Sequence, residues 1–209
     1  MTDITFLDGG LGQEINNRST QDSAHPLWSV KVMFEEPDIV IATHKDFIRA
    51  GARVITMNNY TATIPRMTRH GFGDQFHAAH QLAAELVNKA IHQAQTEFDQ
   101  EIDVNIAGCL PPIAASYVAS AALNYDDSYD QYSQLIEIQA QHVDVFLAET
   151  ISNITEAKAA LAALKAAGQK CFIGLTLSDD LSNSLRSGES LGNSTAPIPV
   201  HSSGGAVFP

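Results

Sequence analysis

Five short, largely apolar runs punctuate the chain, at residues 4–7, 54–57, 104–108, 143–148 and 171–175. The first four are followed by Asp8, Asn58, Cys109 and Glu149, and the fifth by Thr176. Between them lie stretches in which apolar residues return every third or fourth position. Runs of this length, alternating with helical patterns, predict parallel strands covered on both faces. Side chains at the carboxyl ends of successive parallel strands converge on one rim of a sheet, where barrel and doubly wound α/β folds place their chemistry.

The helical stretches carry their own start and stop signals. A short helix is expected around residues 28–34. Pro37 marks the next start, and Val40, His44, Phe47 and Ile48 recur at helical spacing up to a stop at Gly51. Phe76, Ala79, Ala83, Leu86, Val87, Ala90, Ile91 and Ala94 form one stripe and predict a long amphipathic helix. Pro111 and Pro112 forbid continuation of the third strand. The cluster Asp126-Asp127-Ser128 reads as the cap of a helix that turns Tyr132, Leu135 and Ile136 inward. Asn153-x-x-Glu156 reads as a capping variant opening an alanine-rich helix that ends at Gly168. Periodicity then fades: residues 1–191 read as one α/β unit, and 192–209, with Pro197, Pro199, Gly204, Gly205 and several serines, as an irregular tail.

Composition narrows the possibilities. A chain of 209 residues, 44% hydrophobic and 17% charged, can build a sizeable globular core. Its net charge of −12 argues against a nucleic-acid partner. No run reaches the length of a membrane span and no basic-then-apolar leader opens the chain, so a cytoplasmic protein without a membrane partner is expected. Cys109 and Cys171 sit in strand-like runs without CxxC or CxxH spacing. They read as buried free thiols of a reducing compartment, not as a structural zinc site. His77 and His80 lie three apart on a helix with no third ligand at a metal-binding spacing, which reads as a solvated helix face; His25 and His44 read as structural. GxSxG, HExxH, P-loop and GxGxxG sequences are absent.

Asp8 and Glu149 are the sharpest chemical signals. A carboxylate directly after a strand is costly to desolvate unless it is paired or binds something. Two on one rim could hold an ammonium group; alternatively each could cap a helix or pair with an arginine. Three glycines within Asp8-Gly9-Gly10-Leu11-Gly12 let backbone approach a ligand and offer N–H groups to an anion, although a simple tight turn has the same composition. Asn58 and Tyr60 are candidates to complete such a pocket, and Tyr60 could equally be packing.

Several blocks resemble the homocysteine S-methyltransferase family: Leu7-Asp8-Gly9-Gly10-Leu11-Gly12, His25-Pro26-Leu27-Trp28-Ser29, the stretch from Ala50 to Tyr60, Ala107-Gly108-Cys109-Leu110-Pro111-Pro112, and Phe146-Leu147-Ala148-Glu149-Thr150. The resemblance implies an α/β fold of the (β/α)8 TIM-barrel type, of which about five β/α units are present here. It implies methyl transfer to the thiol of homocysteine from S-methylmethionine, S-adenosylmethionine or a related donor, giving methionine. Carried over by position, Asp8 and Glu149 would grip the amino group of homocysteine. Gly9 and Gly10 would take its carboxylate, and Asn58 and Tyr60 would line the pocket. It also implies Zn2+ held by three cysteines, which binds the thiolate and lowers the thiol's pKa.

The Gly-x-Asn-Cys and Gly-Gly-Cys-Cys blocks that carry those cysteines in the family are not in this sequence. Neither Cys109 nor Cys171 matches a metal position, so no metal ligand and no catalytic residue is assigned. The resemblance stops near Leu191, whereas such a barrel takes about 250 residues and eight strands. A truncated, inactive form of the enzyme is therefore expected, able to self-associate through open sheet edges. Two rivals remain. One is a non-catalytic metabolite- or partner-binding protein that keeps the amino-acid pocket. The other is a metal-free lyase with Glu149 as base, for which no strand end supplies a second base.

Overall fold

A computed structural model of the chain describes residues 4–20, 25–98, 102–180 and 184–190. Four parallel strands form one sheet: β1 (Val54–Thr56), β2 (Asn105–Leu110), β3 (Val145–Ile151) and β4 (Cys171–Leu175). Their order in the sheet is their order in the chain. The sheet is thus wound in one direction, without the reversal that marks a doubly wound sheet. It is an arc of a (β/α)8 barrel of the TIM type.

Helices fill every connection. Before β1 come α1 (Leu11–Arg18), α2 (Trp28–Glu35) and α3 (Pro37–Arg49), with Pro37 in the first turn of α3 as its fixed φ favours. Two helices, α4 (Ile64–Arg69) and α5 (Phe76–Phe98), separate β1 from β2. The apolar stripe of α5 is buried from Phe76 to Ala94 except at Ile91, which is partly exposed, and α5 packs on α3. The third connection is α6 (Tyr125–Gln139), which turns Tyr132, Leu135 and Ile136 into the core against α7 (Ile154–Ala166).

Several expectations need correction. Residues 4–7 do not form a buried strand: Ile4 is 76% and Phe6 62% exposed, and only Leu7 bridges, to Val54. This segment has β1 on one side and nothing described on the other, so its outer face stays in solvent. The cap of α6 is not the Asp126–Ser128 cluster but Asn124, whose Oδ1 accepts from the Asp127 N–H at 2.9 Å. Ser128 is instead buried inside the helix. Asn153 does cap α7, accepting from the Glu156 N–H at 2.7 Å. The Glu156 side chain does not reach back to it. Its Oε1 accepts from the Ile113 N–H at 2.9 Å and from the Tyr132 hydroxyl at 3.2 Å, so it ties the loop after β2 to α7. His77 is exposed as expected, but His80 is fully buried. Cys109 and Glu149 lie inside β2 and β3 and not just past them. The tail at 192–209 lies outside the described residues. Among the described residues no helix is long and apolar enough to cross a membrane.

Candidate functional site

Asp8, Asn58 and Glu149, but not Cys109 or Thr176, line one cavity of about 470 Å3 at the carboxyl ends of the sheet. Asp8 reaches it because the preceding segment runs beside β1: the Asp8 N–H donates to the Val54 carbonyl at 2.9 Å. Its carboxylate is then fixed by Thr56, whose N–H and hydroxyl donate to the two oxygens at 2.8 Å each. Glu149 arrives from β3, two strands away in the sheet, and its Oε1 accepts from the Cys109 thiol at 3.0 Å. Neither carboxylate forms an ion pair among the described residues. Burial pushes the Asp8 carboxyl up, against the opposing pull of the Thr56 bonds. Burial also pushes Glu149 up; the Cys109 bond offsets part of this, and the negative charge of Asp8 adds to it. The two acids line the same cavity. A cation placed between them would relieve both.

The glycine turn supplies the complementary charge. Gly10 is the N-cap of α1 and no side chain caps that helix. Among the described residues no backbone carbonyl accepts from the N–H of Gly9 or Gly10. Unpaired N–H groups at a helix N-terminus favour an anion. A Cβ on Gly9 would come within 3.2 Å of Phe47 Cε1, so the turn has little room for a larger residue.

Asn58 and Tyr60 line the same cavity. The Asn58 amide donates to the Ser29 carbonyl at 3.2 Å, which joins α2 to the loop after β1. The Tyr60 hydroxyl lies 2.7 Å from Ser116 Oγ. This loop is anchored from behind by His80. Its Nε2 lies 2.9 Å from the Ala62 carbonyl, which makes that nitrogen the donor, and Nδ1 accepts from the Asn59 amide at 3.0 Å. Burial lowers the His80 pKa to about 4, so it serves as a neutral clamp.

Two features of the cavity have no counterpart in the sequence expectations. Thr150 and Tyr117 have φ of +64° and +63°, the only positive-φ residues other than glycine among those described. A β-branched threonine in that region is strained and is held there by its surroundings. Thr150 sits where the β3–β4 register shifts between Ala148 and Ile151. The irregularity breaks the two-residue alternation, so Leu147, Glu149 and Thr150 all border the cavity. The second feature is Arg66 of α4, whose Nη2 donates to the Pro112 carbonyl at 2.7 Å and to Ser116 Oγ at 3.2 Å. Its guanidinium also borders the cavity, and it makes no ion pair among the described residues.

The residues present do not fit a zinc ion held by three thiolates. The sequence contains two cysteines, and β3 separates the strands that carry them. Burial first, then the charge of Glu149, pushes the Cys109 thiol well above its ordinary value, away from the thiolate a metal needs. Among the described residues no group of three His, Cys, Asp or Glu could hold a metal.

A parallel sheet wound in one direction, with helices between its strands and a polar cavity at their carboxyl ends, defines an α/β protein of the (β/α)8-barrel class. Sequence comparison gives the family: the homocysteine S-methyltransferase family profile matches residues 5–200, and the chain belongs to that family. It is 30% identical over 169 residues to homocysteine S-methyltransferase of Escherichia coli strain K12, covering 75% of this chain and 53% of that protein. It is also 30% identical over 181 residues to homocysteine S-methyltransferase YbgG of Bacillus subtilis strain 168, covering 78% and 55%. The crystal structure of the homocysteine methyltransferase MmuM from Escherichia coli, metallated form, superposes with a TM-score of 0.81 at 27% identity, over 91% of this chain and 68% of that one. The chain spans about half the length of the curated relatives it matches.

Proposed function

We propose that this cavity is the homocysteine pocket of a cytoplasmic methyl-transfer site. The ammonium of homocysteine lies between Asp8 and Glu149, and its carboxylate meets the N–H groups of Gly9 and Gly10. Asn58 and Tyr60 wall the space where its sulfur meets the donor. In the reaction the thiol loses its proton to solvent and the sulfur attacks the methyl carbon of a sulfonium donor such as S-methylmethionine or S-adenosylmethionine. A new carbon–sulfur bond forms, and the old one breaks with its electron pair on the leaving thioether. The products are methionine and a second thioether, with no change of oxidation state.

The observation that carries this reading is the pair of half-buried acids on one cavity with no guanidinium or ammonium on either. Calorimetric titration of the 209-residue chain with L-homocysteine tests it. Saturable binding is expected, weakened at least tenfold by Asp8→Asn and by Glu149→Gln. Absence of binding, or binding indifferent to both substitutions, overturns the assignment. The two-cysteine content favours a second reading, in which this chain binds the amino acid without transferring methyl groups. Under that reading, homocysteine binds but added Zn2+ and donor yield no methionine.

A further inference from the structure

We propose that Arg66 recognises the methyl donor: it takes the carboxylate of a zwitterionic onium donor and disfavours donors that carry no acid group. This rests on the assignment of Asp8, Glu149 and the glycine turn to homocysteine.

The first argument is a guanidinium without an ion-pair partner among the described residues. Arg66 is half-buried beside the cavity, and its two recorded hydrogen bonds go to neutral oxygens, the Pro112 carbonyl and Ser116 Oγ. Its Nε–H is enclosed and has no partner among the described residues. Burial lowers the pKa of Arg66, yet a guanidinium stays charged in proteins. The carboxylate of Glu156 offsets part of this desolvation but forms no ion pair with Arg66 among the described residues, and a fork of N–H donors suits a further carboxylate. The two bonds from Nη2 also fix the plane of the guanidinium, so the site is formed before a ligand arrives.

The second argument is occupancy. The amine and carboxylate of homocysteine are both accommodated by Asp8, Glu149 and the glycine turn, which leaves Arg66 for the other reactant. The third is electrostatic. A donor carries positive charge at the atom that bears its methyl group. The Arg66 guanidinium lies 5.6 Å from the centroid of the Tyr60 ring, and the Arg186 guanidinium 5.2 Å from that of Tyr117. Both rings therefore already have a cation over them. A bare onium ion entering here is repelled by Arg66, whereas a zwitterion neutralises Arg66 with its acid group and leaves its cationic end towards Asp8 and Glu149.

A matched pair of probes isolates the carboxylate: dimethylsulfonioacetate, with sulfonium and carboxylate, and trimethylsulfonium, with sulfonium alone. Both are titrated into the full chain and into Arg66→Gln and Arg66→Lys, each checked for native circular dichroism, with L-homocysteine titrated in parallel. Dimethylsulfonioacetate should bind the wild type. Arg66→Gln should weaken it at least tenfold and Arg66→Lys should restore part of the loss. Trimethylsulfonium should bind the wild type more weakly and gain affinity in Arg66→Gln, where the repelling charge is gone, and homocysteine affinity should stay within twofold. Equal binding of the acid probe by wild type and Arg66→Gln, or none by wild type, overturns the proposal while leaving homocysteine binding intact. Loss of homocysteine binding in Arg66→Gln also overturns it, by moving the acceptor's carboxylate onto Arg66. Failure of the wild type to bind homocysteine removes the underlying assignment instead.

Discussion

Asp8 and Glu149 are half-buried and have no ion-pair partner among the described residues. Burial raises both above their ordinary values of 3.8 and 4.5, and Glu149 rises further because it senses Asp8. For an acid shifted upward, the stabilisation of the folded state is complete below the unfolded pKa and is lost as pH rises through the folded one. At neutral pH the empty pocket therefore carries a penalty, which an ammonium between the two acids removes. Ligand affinity must run the other way. As pH falls from 7, each acid takes up its proton before an ordinary carboxylate would, and the amine loses its partners. The dissociation constant of L-homocysteine should thus rise on acidification, by at most about tenfold per pH unit for each acid. In Asp8→Asn the slope should fall by one proton. A flat profile down to the ordinary carboxylate range would show that the acids do not hold the amine.

The elements that stand close to the sheet are constrained by very local geometry, and two strand glycines show how differently. A Cβ on Gly108 of β2 would lie 2.7 Å from Cδ1 and Cε1 of the fully buried Phe146, and 3.1 Å from Gln139 Oε1 of α6. A Cβ on Gly174 of β4 would meet nothing nearer than the Ala148 carbonyl oxygen at 3.8 Å. Gly108→Ala should destabilise the fold by about 1–3 kcal/mol through overpacking. Gly174→Ala should change stability by no more than about 0.5 kcal/mol. Urea denaturation midpoints at unchanged slope provide the check; equal midpoints for the two variants would contradict the packing described. This contrast was invisible in the sequence, where both glycines sit in similar apolar runs. What was legible followed from long-range periodicity and caps: α3, α5, α7 and β4 appear where the pattern places them. The helix α1 was missed because it opens within the glycine turn and carries Gly12 in its first turn, and α4 because six residues are too few to establish a period. Asp8, Glu149 and the glycine turn could be singled out because a charge or a glycine cluster at a strand end is unusual in itself. Arg66 could not, since its environment comes from Pro112 and Ser116, 46 and 50 residues away. His80 was misjudged for the same reason: a polar residue on a helix reads as solvated until its partners on another loop are known.

In a closed (β/α)8 ring every strand has two neighbours, so no row of backbone donors and acceptors is left open. Among the described residues this sheet has two open sides, the segment at residues 4–7 and β4. The first also presents Ile4, Phe6 and Leu7 to solvent, 76%, 62% and 42% exposed. An apolar edge with unpaired backbone groups is a template for another chain, and a second copy of this one is the partner always at hand. The side chains and the backbone act together here: pairing an edge satisfies the N–H and C=O groups and removes the exposed rings and aliphatic groups from water in the same step. The chain should therefore self-associate in a concentration-dependent way, seen as a rising forward-scattering mass in small-angle X-ray scattering. Phe6→Lys should shift the equilibrium towards monomer, because a charge on the outer face of the edge resists desolvation. It should leave homocysteine binding unchanged, since Phe6 does not border the cavity. A wild-type chain that stays monomeric at high concentration would mean that its edges are already covered within one molecule.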